Sequence, residues 1–151
     1  MSKFEVSFNS PQCGWMSIGF AGSEGEFHTT TANMPHSSAL SELMALLAGF
    51  LDGANGEKLL KWNRDPEEFD FRFVRSGDEL TFEIYEYATG DRASDEKTRV
   101  FNHRGNVREI CRAFCETFQQ LFEDRDTDEF EFNWRQPFPT RELRELEHKL
   151  N

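Results

Sequence analysis

The amino-acid sequence predicts an α+β protein of a single domain, built on one antiparallel β-sheet of about five to seven strands. Two main amphipathic helices are expected on one face of the sheet, followed by a short C-terminal helix. Three observations support this prediction. Segments with strand-like alternation outnumber those with helical spacing, short turns join successive strand-like segments, and the 151 residues contain no repeat, linker or low-complexity stretch.

The N-terminal third predicts three strands and the first helix. Strands are expected over residues 3–8, 15–21 and 26–31, because apolar and β-branched residues alternate or cluster in each of them. The first helix is expected to start after a serine cap, either Ser37 or Ser38, and to end at the glycines that follow it. Their spacing places five apolar residues on one face of this helix: Leu40, Leu43, Met44, Leu47 and Leu51.

The central part predicts an antiparallel meander. Strands are expected over residues 57–62, 69–74, 80–87 and 98–103, and a polar loop over residues 89–97. The second and third of these strands form the clearest hairpin, because apolar and polar residues alternate strictly and the turn "RSGDE" separates them. Such alternation is typical of a sheet with one buried face and one solvated face.

The C-terminal third predicts the second long helix, over residues 106–124. Asn106 is a favoured N-cap, and Glu109 takes the position of a capping box. The apolar stripe at spacings of three and four consists of Val107, Ile110, Cys111, Phe114, Phe118, Leu121 and Phe122. After the break at "PFP", Thr140 is expected to cap a short terminal helix whose apolar side carries Leu143, Leu146 and Leu150.

The net charge of −11 narrows the possible partners. Direct binding to DNA or RNA is disfavoured, because neutralising phosphates needs lysine and arginine. Anionic membrane surfaces are disfavoured for the same reason, and no apolar run is long enough to span a bilayer. A basic protein partner is favoured, because complementary charge accelerates encounter. The N-terminus lacks a secretion signal and the cysteine count is odd, so we expect a reduced, cytoplasmic protein.

Metal and catalytic motifs are weak. Asp124, Asp126 and Asp128 match the first ligand spacings of an EF-hand loop, but Glu129 replaces its glycine and Arg135 its final glutamate. The helical cysteines lie on or beside an apolar stripe and are expected to pack in the core. There is no nucleophile elbow and no phosphate-binding loop. We therefore expect no metal or other cofactor and no enzymatic activity.

Three acidic clusters with aromatic neighbours are candidates for binding a basic partner. The first, the acidic segment, is "EDRDTDEFEFNW" at residues 123–134, with six carboxylates and one arginine. The second is "WNRDPEEFDF" at residues 62–71, around Pro66, and the third is the outer face of the hairpin. The candidate contact residues are Asp124, Asp126, Asp128, Glu129, Glu131 and Trp134 in the first cluster, Glu67 and Glu68 in the second, and Glu83, Tyr85 and Tyr87 in the third. Acids would attract the partner, and aromatic residues would supply buried contact area.

The combination of "WNRDPEEFDFRF", "GDELTFEIY" and "EDRDTDEFEFNW…PFPTRELREL" in a chain of this size resembles the bacterial immunity proteins of polymorphic toxin systems, including contact-dependent growth inhibition. The resemblance covers the whole chain in general character rather than through a motif, so no residue roles carry over. It implies binding to a cognate toxin domain, often a basic nuclease. Carboxylates would then pair with the lysines and arginines that otherwise hold phosphates.

Three alternatives stay open at this stage. The chain could mimic a nucleic acid and inhibit an enzyme that binds DNA or RNA, although its acids are clustered and interleaved with basic residues. It could also be an enzyme with an unrecognised carboxylate site, which a dry cleft holding two close carboxylates would indicate. Finally, it could be a subunit or adaptor with no toxin partner.

Overall fold

Seven antiparallel strands in two sheets and four helices make up the fold, in a computed structural model that describes residues 3–92 and 96–151. The strands are β1 (Glu5–Phe8), β2 (Trp15–Gly22), β3 (Gly25–Ala32), β4 (Gly56–Asn63), β5 (Glu68–Ser76), β6 (Glu79–Tyr87) and β7 (Thr98–Asn106). The helices are α1 (Ala39–Leu51), α2 (Val107–Asp124), α3 (Phe130–Trp134) and α4 (Thr140–Leu150). The predicted α+β class, strand number and short C-terminal helix are confirmed.

The strands form two sheets, so the prediction of a single sheet is wrong. The three-stranded sheet has the order β1-β2-β3, and the four-stranded sheet has the order β4-β5-β6-β7. Helix α1 separates β3 from β4 along the chain, so each sheet is a meander of strands that neighbour one another in sequence. Alternation within a strand reports which face is buried and not which strand lies beside it, so the division could not be predicted.

A phenylalanine-rich core lies between the sheets and α2. The predicted hairpin places Phe73 and Phe82 in register, with their rings stacked at a centroid distance of 4.5 Å. From α2, Phe114 contacts Phe82 of the four-stranded sheet at 5.7 Å and Phe8 of the three-stranded sheet at 6.3 Å. Each such ring stabilises the fold by roughly 1.5–3 kcal/mol when fully buried. The core therefore joins α2 to both sheets, and Phe20 of β2 also contacts Phe82 directly at 5.3 Å.

The helix caps agree only in part with the sequence predictions. The Asn106 side chain accepts hydrogen bonds from the backbone N–H groups of Arg108 and Glu109, at 2.9 and 3.2 Å, as predicted. Ser38 occupies the N-cap position of α1, but its hydroxyl donates to the Glu42 carboxylate and caps no backbone group. Thr140 is the first residue of α4 rather than its cap. The predictions that the hydroxyls of Ser38 and Thr140 cap α1 and α4 are therefore wrong.

Two further findings concern the loop and the helices. Of the polar loop predicted at 89–97, residues 93–95 lie outside the described residues, and the others adopt neither helix nor strand. Within the described part of the chain, no helix is long and apolar enough to cross a membrane.

Candidate partner-binding surface

Helix α3 positions the aromatic end of the acidic segment. Phe130 and Trp134 are four residues apart, so both lie on the face of α3 that is buried. Trp134 packs edge-on against Trp62 at a centroid distance of 6.3 Å, and Phe130 packs against Phe138 at 5.2 Å. Phe132 therefore points the other way, and 79% of its surface is exposed.

Both ends of α3 adopt a backbone conformation that is rare for residues other than glycine. Glu129, before the helix, has φ of 51°, and Arg135, after it, has φ of 67°. Left-handed conformations of this kind are costly, and they persist where the surrounding structure enforces them, frequently at functional sites. Here the buried rings of Phe130 and Trp134 hold the helix between its two left-handed ends.

A junction of backbone hydrogen bonds attaches α3 to the three-stranded sheet. The N–H of Gly14 donates to the carbonyl of Asn133 at 2.7 Å, and the N–H of Asn33 donates to the carbonyl of Gly14 at 3.0 Å. The Asn33 side-chain amide also donates to the carbonyl of Trp134 at 3.0 Å, and the N–H of Cys13 to the Asn133 side chain at 3.3 Å. Loops after β1 and β3 are thus fixed to α3.

Three exposed apolar side chains belong to residues that are next to this junction in the chain. Trp15, Met34 and Phe132 directly follow or precede the junction residues Gly14, Asn33 and Asn133 in the chain, and their exposed fractions are 40%, 59% and 79%. Among the described residues the other large apolar side chain that is exposed is Leu59, on β4. We call Trp15, Met34, Phe132 and the carboxylates of residues 123–131 the α3 surface.

The carboxylates of the α3 surface accept hydrogen bonds from uncharged groups but form no ion pairs with the described residues. Asp128 accepts a hydrogen bond from the Ser10 hydroxyl at 2.7 Å, and Asp124 accepts one from the Gln120 amide at 2.9 Å. Within residues 3–92 and 96–151, no ion pair involves any of the six, which are Glu123, Asp124, Asp126, Asp128, Glu129 and Glu131. The segment's own arginine, Arg125, instead stacks on the Phe122 ring at 3.6 Å.

The structure corrects the role expected of Trp134. Only 2% of its surface is exposed, so it is part of the core and offers no contact area to a partner. Phe132 is the exposed aromatic residue of α3 instead. Helical spacing within "FEFNW" is the signal that separates the two, because residues four apart share a face and the residue midway between them does not.

The second and third clusters come together on the outer face of the four-stranded sheet, where Glu68 lies opposite Tyr87 in register. Glu68 accepts hydrogen bonds from His36 at 3.1 Å and from Arg92 at 2.6 Å. Arg92 also binds Asp70 at 2.8 Å, and its guanidinium lies over the Tyr87 ring at 3.9 Å. Burial alone would raise the pKa of Glu68, but the His36 and Arg92 hydrogen bonds outweigh it and lower that pKa below its ordinary value.

Glu83 is the centre of a second ion-pair network on the same face. Its carboxylate binds Arg72 at 2.6 Å and Arg99 at 3.2 Å, and Arg72 also binds Glu57 at 2.5 Å. Burial would raise the pKa of Glu83, but the bonds from Arg72 and Arg99 dominate and lower it. Beside it, Tyr85 is half-buried under Lys97, whose ammonium lies 4.5 Å from the ring centroid.

The prediction that Glu68 and Glu83 are free to bind a partner is therefore wrong, because both are buried and already paired with arginines of this chain. Glu67 is half-buried in the β4–β5 turn, and its backbone carbonyl accepts a hydrogen bond from the N–H of Arg64 at 2.8 Å. Of the three clusters, the first presents several exposed carboxylates that form no ion pair with a described residue, and the second presents one, Asp65.

Three groups with catalytic potential, Cys111, Cys115 and Glu68, have pKa values that their surroundings shift. Burial raises the pKa of the Cys111 thiol to about 12 and that of Cys115 to about 11, as expected for cysteines in the core. Glu68 and Asp70 share Arg92, and a lowered pKa such as that of Glu68 is the reverse of what a general acid needs at neutral pH. Over the described residues, no group of three or more histidine, cysteine or acidic side chains is arranged to hold a metal ion.

Comparisons with protein-family models, with curated proteins and with solved structures found no match to this chain.

Proposed function

We propose that this chain is a non-enzymatic binding protein that docks onto a basic protein through the α3 surface, and that it acts in the cytoplasm as an immunity protein against a cognate toxin domain of the nuclease type. The observation that carries the proposal is that Phe132 is exposed in a segment whose six carboxylates form no ion pair with any described residue. The resemblance to immunity proteins supplies the kind of partner.

The charges support a basic partner. Carboxylates that already pair within a protein gain little from a new cation, whereas those of the α3 surface are free to form new ion pairs. Their net charge of −5, from six acids and one arginine, attracts a positively charged surface over about a Debye length, roughly 8 Å at physiological salt. A nuclease presents such a surface where it holds phosphates, so carboxylates placed there would block its substrate.

The apolar residues support tight binding once the partners meet. Residues that contribute most to binding energy are typically aromatic and central, with polar groups around them. Phe132 is exposed on α3, and it is flanked in the chain by Glu131 and Asn133 and follows the other carboxylates of the segment. The left-handed ends of α3 and its junction with the sheet keep Phe132 in place before binding, which reduces the entropy lost on association.

Mimicry of a nucleic acid is less well supported. A mimic requires carboxylates at phosphate spacing along an extended face. The free carboxylates here occupy the end of α2, one turn and a five-residue helix, while those on the broad face of the four-stranded sheet pair with Arg72, Arg92 and Arg99.

The test is an inhibition assay on a partner isolated with the protein. Tagged wild-type protein is expressed in its native host and purified at low and at high salt, and a stoichiometric basic partner is then assayed for nuclease or other toxic activity with and without the chain. We expect inhibition by the wild type and its loss in Phe132→Ala. A Met34→Ala variant at the edge of the surface serves as a milder comparison.

Two outcomes would contradict the proposal. A stoichiometric partner whose binding survives in Phe132→Ala, and also in a variant that replaces Asp126, Asp128 and Glu129 by lysine, would remove the α3 surface as the site. A chain that stays without a partner in its native host would remove the binding function itself.

A further inference from the structure

A shallow cavity of about 350 Å³ lies on the outer face of the three-stranded sheet, and none of its described lining residues belongs to the α3 surface. Its lining includes Ser7, Asn9, Ser17, His28 and Thr30 of the sheet side, and Arg64 of the β4–β5 turn. The cavity is therefore formed by two separate parts of the fold, a sheet face rich in hydroxyl groups and an arginine that overhangs it.

Strand pairing arranges the polar groups of the cavity in two rows. Ser7 lies opposite Gly19, which lies opposite His28, and in the next row Ser17 lies opposite Thr30. Gly19 leaves the middle of the first row without a side chain, and the His28 ring occupies part of that space. A Cβ atom on Gly19 would lie 2.5 Å from Nδ1 of His28, so a larger residue would displace the ring and alter the cavity.

Several donors that line the cavity have no partner among the described residues, whereas the Asn9 amide and the Thr29 hydroxyl donate to the carbonyls of Ser17 and Thr30, both at 3.3 Å. Among the described residues, the hydroxyls of Ser7, Ser17 and Thr30 make no hydrogen bond, and the guanidinium of Arg64 makes no ion pair. No described acidic residue lines the cavity, although acids outnumber bases by 28 to 17 in the chain. By contrast, Arg92 of the four-stranded sheet's outer face is bound to two carboxylates.

We propose that this cavity binds a phosphate group, either as the free ion or as the ester of a small molecule. An arginine fork with several hydroxyl donors matches the tetrahedral oxygens of phosphate, and guanidinium is suited to two parallel hydrogen bonds with such an anion. The His28 ring, held by Glu26 at 3.2 Å, forms one wall. The lining residues of the cavity are not those of the α3 surface, so this inference does not depend on the proposed function.

The test is a titration followed by two-dimensional NMR of the ¹⁵N-labelled protein. The probes are inorganic phosphate, O-phospho-L-serine and L-serine, at an ionic strength high enough to screen the overall negative charge. We expect saturable shifts at Ser7, Asn9, Ser17 and Thr30 with the two phosphates and none with L-serine. Tighter binding of phosphoserine would identify the ester as the ligand, and equal binding would identify the free ion.

Two variants and one control decide the result. Arg64→Gln should weaken phosphate binding by about tenfold or more, since it removes the one guanidinium at the site. Ser17→Ala should weaken binding less, and Arg141→Gln, the same change at an exposed position of α4, should leave it unaltered. Shifts that do not saturate, that map to other residues, or that persist in Arg64→Gln would overturn the proposal, provided that the variant's spectrum shows an intact fold.

Discussion

Phe132 and Trp134 are two residues apart in α3 and have opposite environments, since 79% of Phe132 is exposed and only 2% of Trp134 is. Both are aromatic and both lie in the acidic segment, so composition alone assigns them the same role. Because they lie on opposite sides of the helix, Trp134 packs in the core and holds α3 in place, whereas Phe132 is exposed on the α3 surface.

This relationship predicts opposite effects of substitution on stability. Trp134→Ala should lower the free energy of unfolding by about 3–5 kcal/mol, because it leaves a large cavity against Trp62. Phe132→Ala should change it by less than about 0.5 kcal/mol, as an exposed position does. Urea denaturation of the two variants measures both values, and equal destabilisation by the two would contradict the opposite orientations of these rings.

Reversing three exposed acids should slow association with the basic partner. In the variant Asp126→Lys, Asp128→Lys and Glu129→Lys, the net charge of the acidic segment changes from −5 to +1. The attraction that accelerates encounter is therefore lost, and the association rate constant should fall by about tenfold or more at low salt. Its dependence on salt should disappear. Stopped-flow mixing at several ionic strengths measures both effects.

A matched control separates this local effect from overall charge. The variant Glu5→Lys, Glu116→Lys and Glu145→Lys makes the same change in net charge at exposed positions on β1, α2 and α4. It should retain most of the wild-type association rate. If both variants slow association equally, net charge and not the α3 surface steers the partner.

Features that depend on neighbouring residues could be predicted from the sequence, and features that depend on distant ones could not. The Asn106 cap and the Phe73–Phe82 hairpin follow from signals within a few residues. Glu68 was expected to be exposed, yet His36 and Arg92, which are 32 and 24 residues away in the chain, bury and neutralise it. Only the folded chain brings such partners together, and the exposure of Phe132 depends equally on what Phe130 and Trp134 pack against.

The Arg92 network predicts a loss of stability that depends on pH. Arg92→Ala leaves Glu68 and Asp70 without their shared cation, at a cost of about 3 kcal/mol near neutral pH. Because the pKa of Glu68 is lowered in the folded state, this contribution is complete above the unfolded value, near 4.5, and is lost as pH falls through the folded value. The wild type and the variant should therefore converge in stability under acid conditions.

Unfolding measured by urea at a series of pH values tests this convergence. Arg141→Ala, at an exposed position of α4, is the control and should follow the wild type throughout. A constant difference between wild type and Arg92→Ala down to strongly acid pH would show that lost packing, rather than the ion pairs, accounts for the cost.

His103 predicts a second pH dependence, at milder acidity. Its ring is buried in β7 and stacks on Phe4, the residue before β1, at a centroid distance of 4.8 Å, and its Nδ1 has no hydrogen-bond partner among the described residues. Burial lowers the pKa of His103, and the charge of Glu24 opposes this only in part. The unfolded chain therefore takes up a proton near pH 6.5, where the folded chain does not.

Stability should consequently fall as pH decreases below about 6.5, because protons then favour the unfolded state, and the fall should stop once the folded state also becomes protonated. His103→Leu removes the titrating group from the contact between the sheets and should abolish this part of the pH dependence. His148→Leu, at an exposed position of α4, should retain it. Free energies of unfolding at about pH 5 and about pH 7.5 decide the matter, since equal slopes for wild type and His103→Leu would assign the effect to another group.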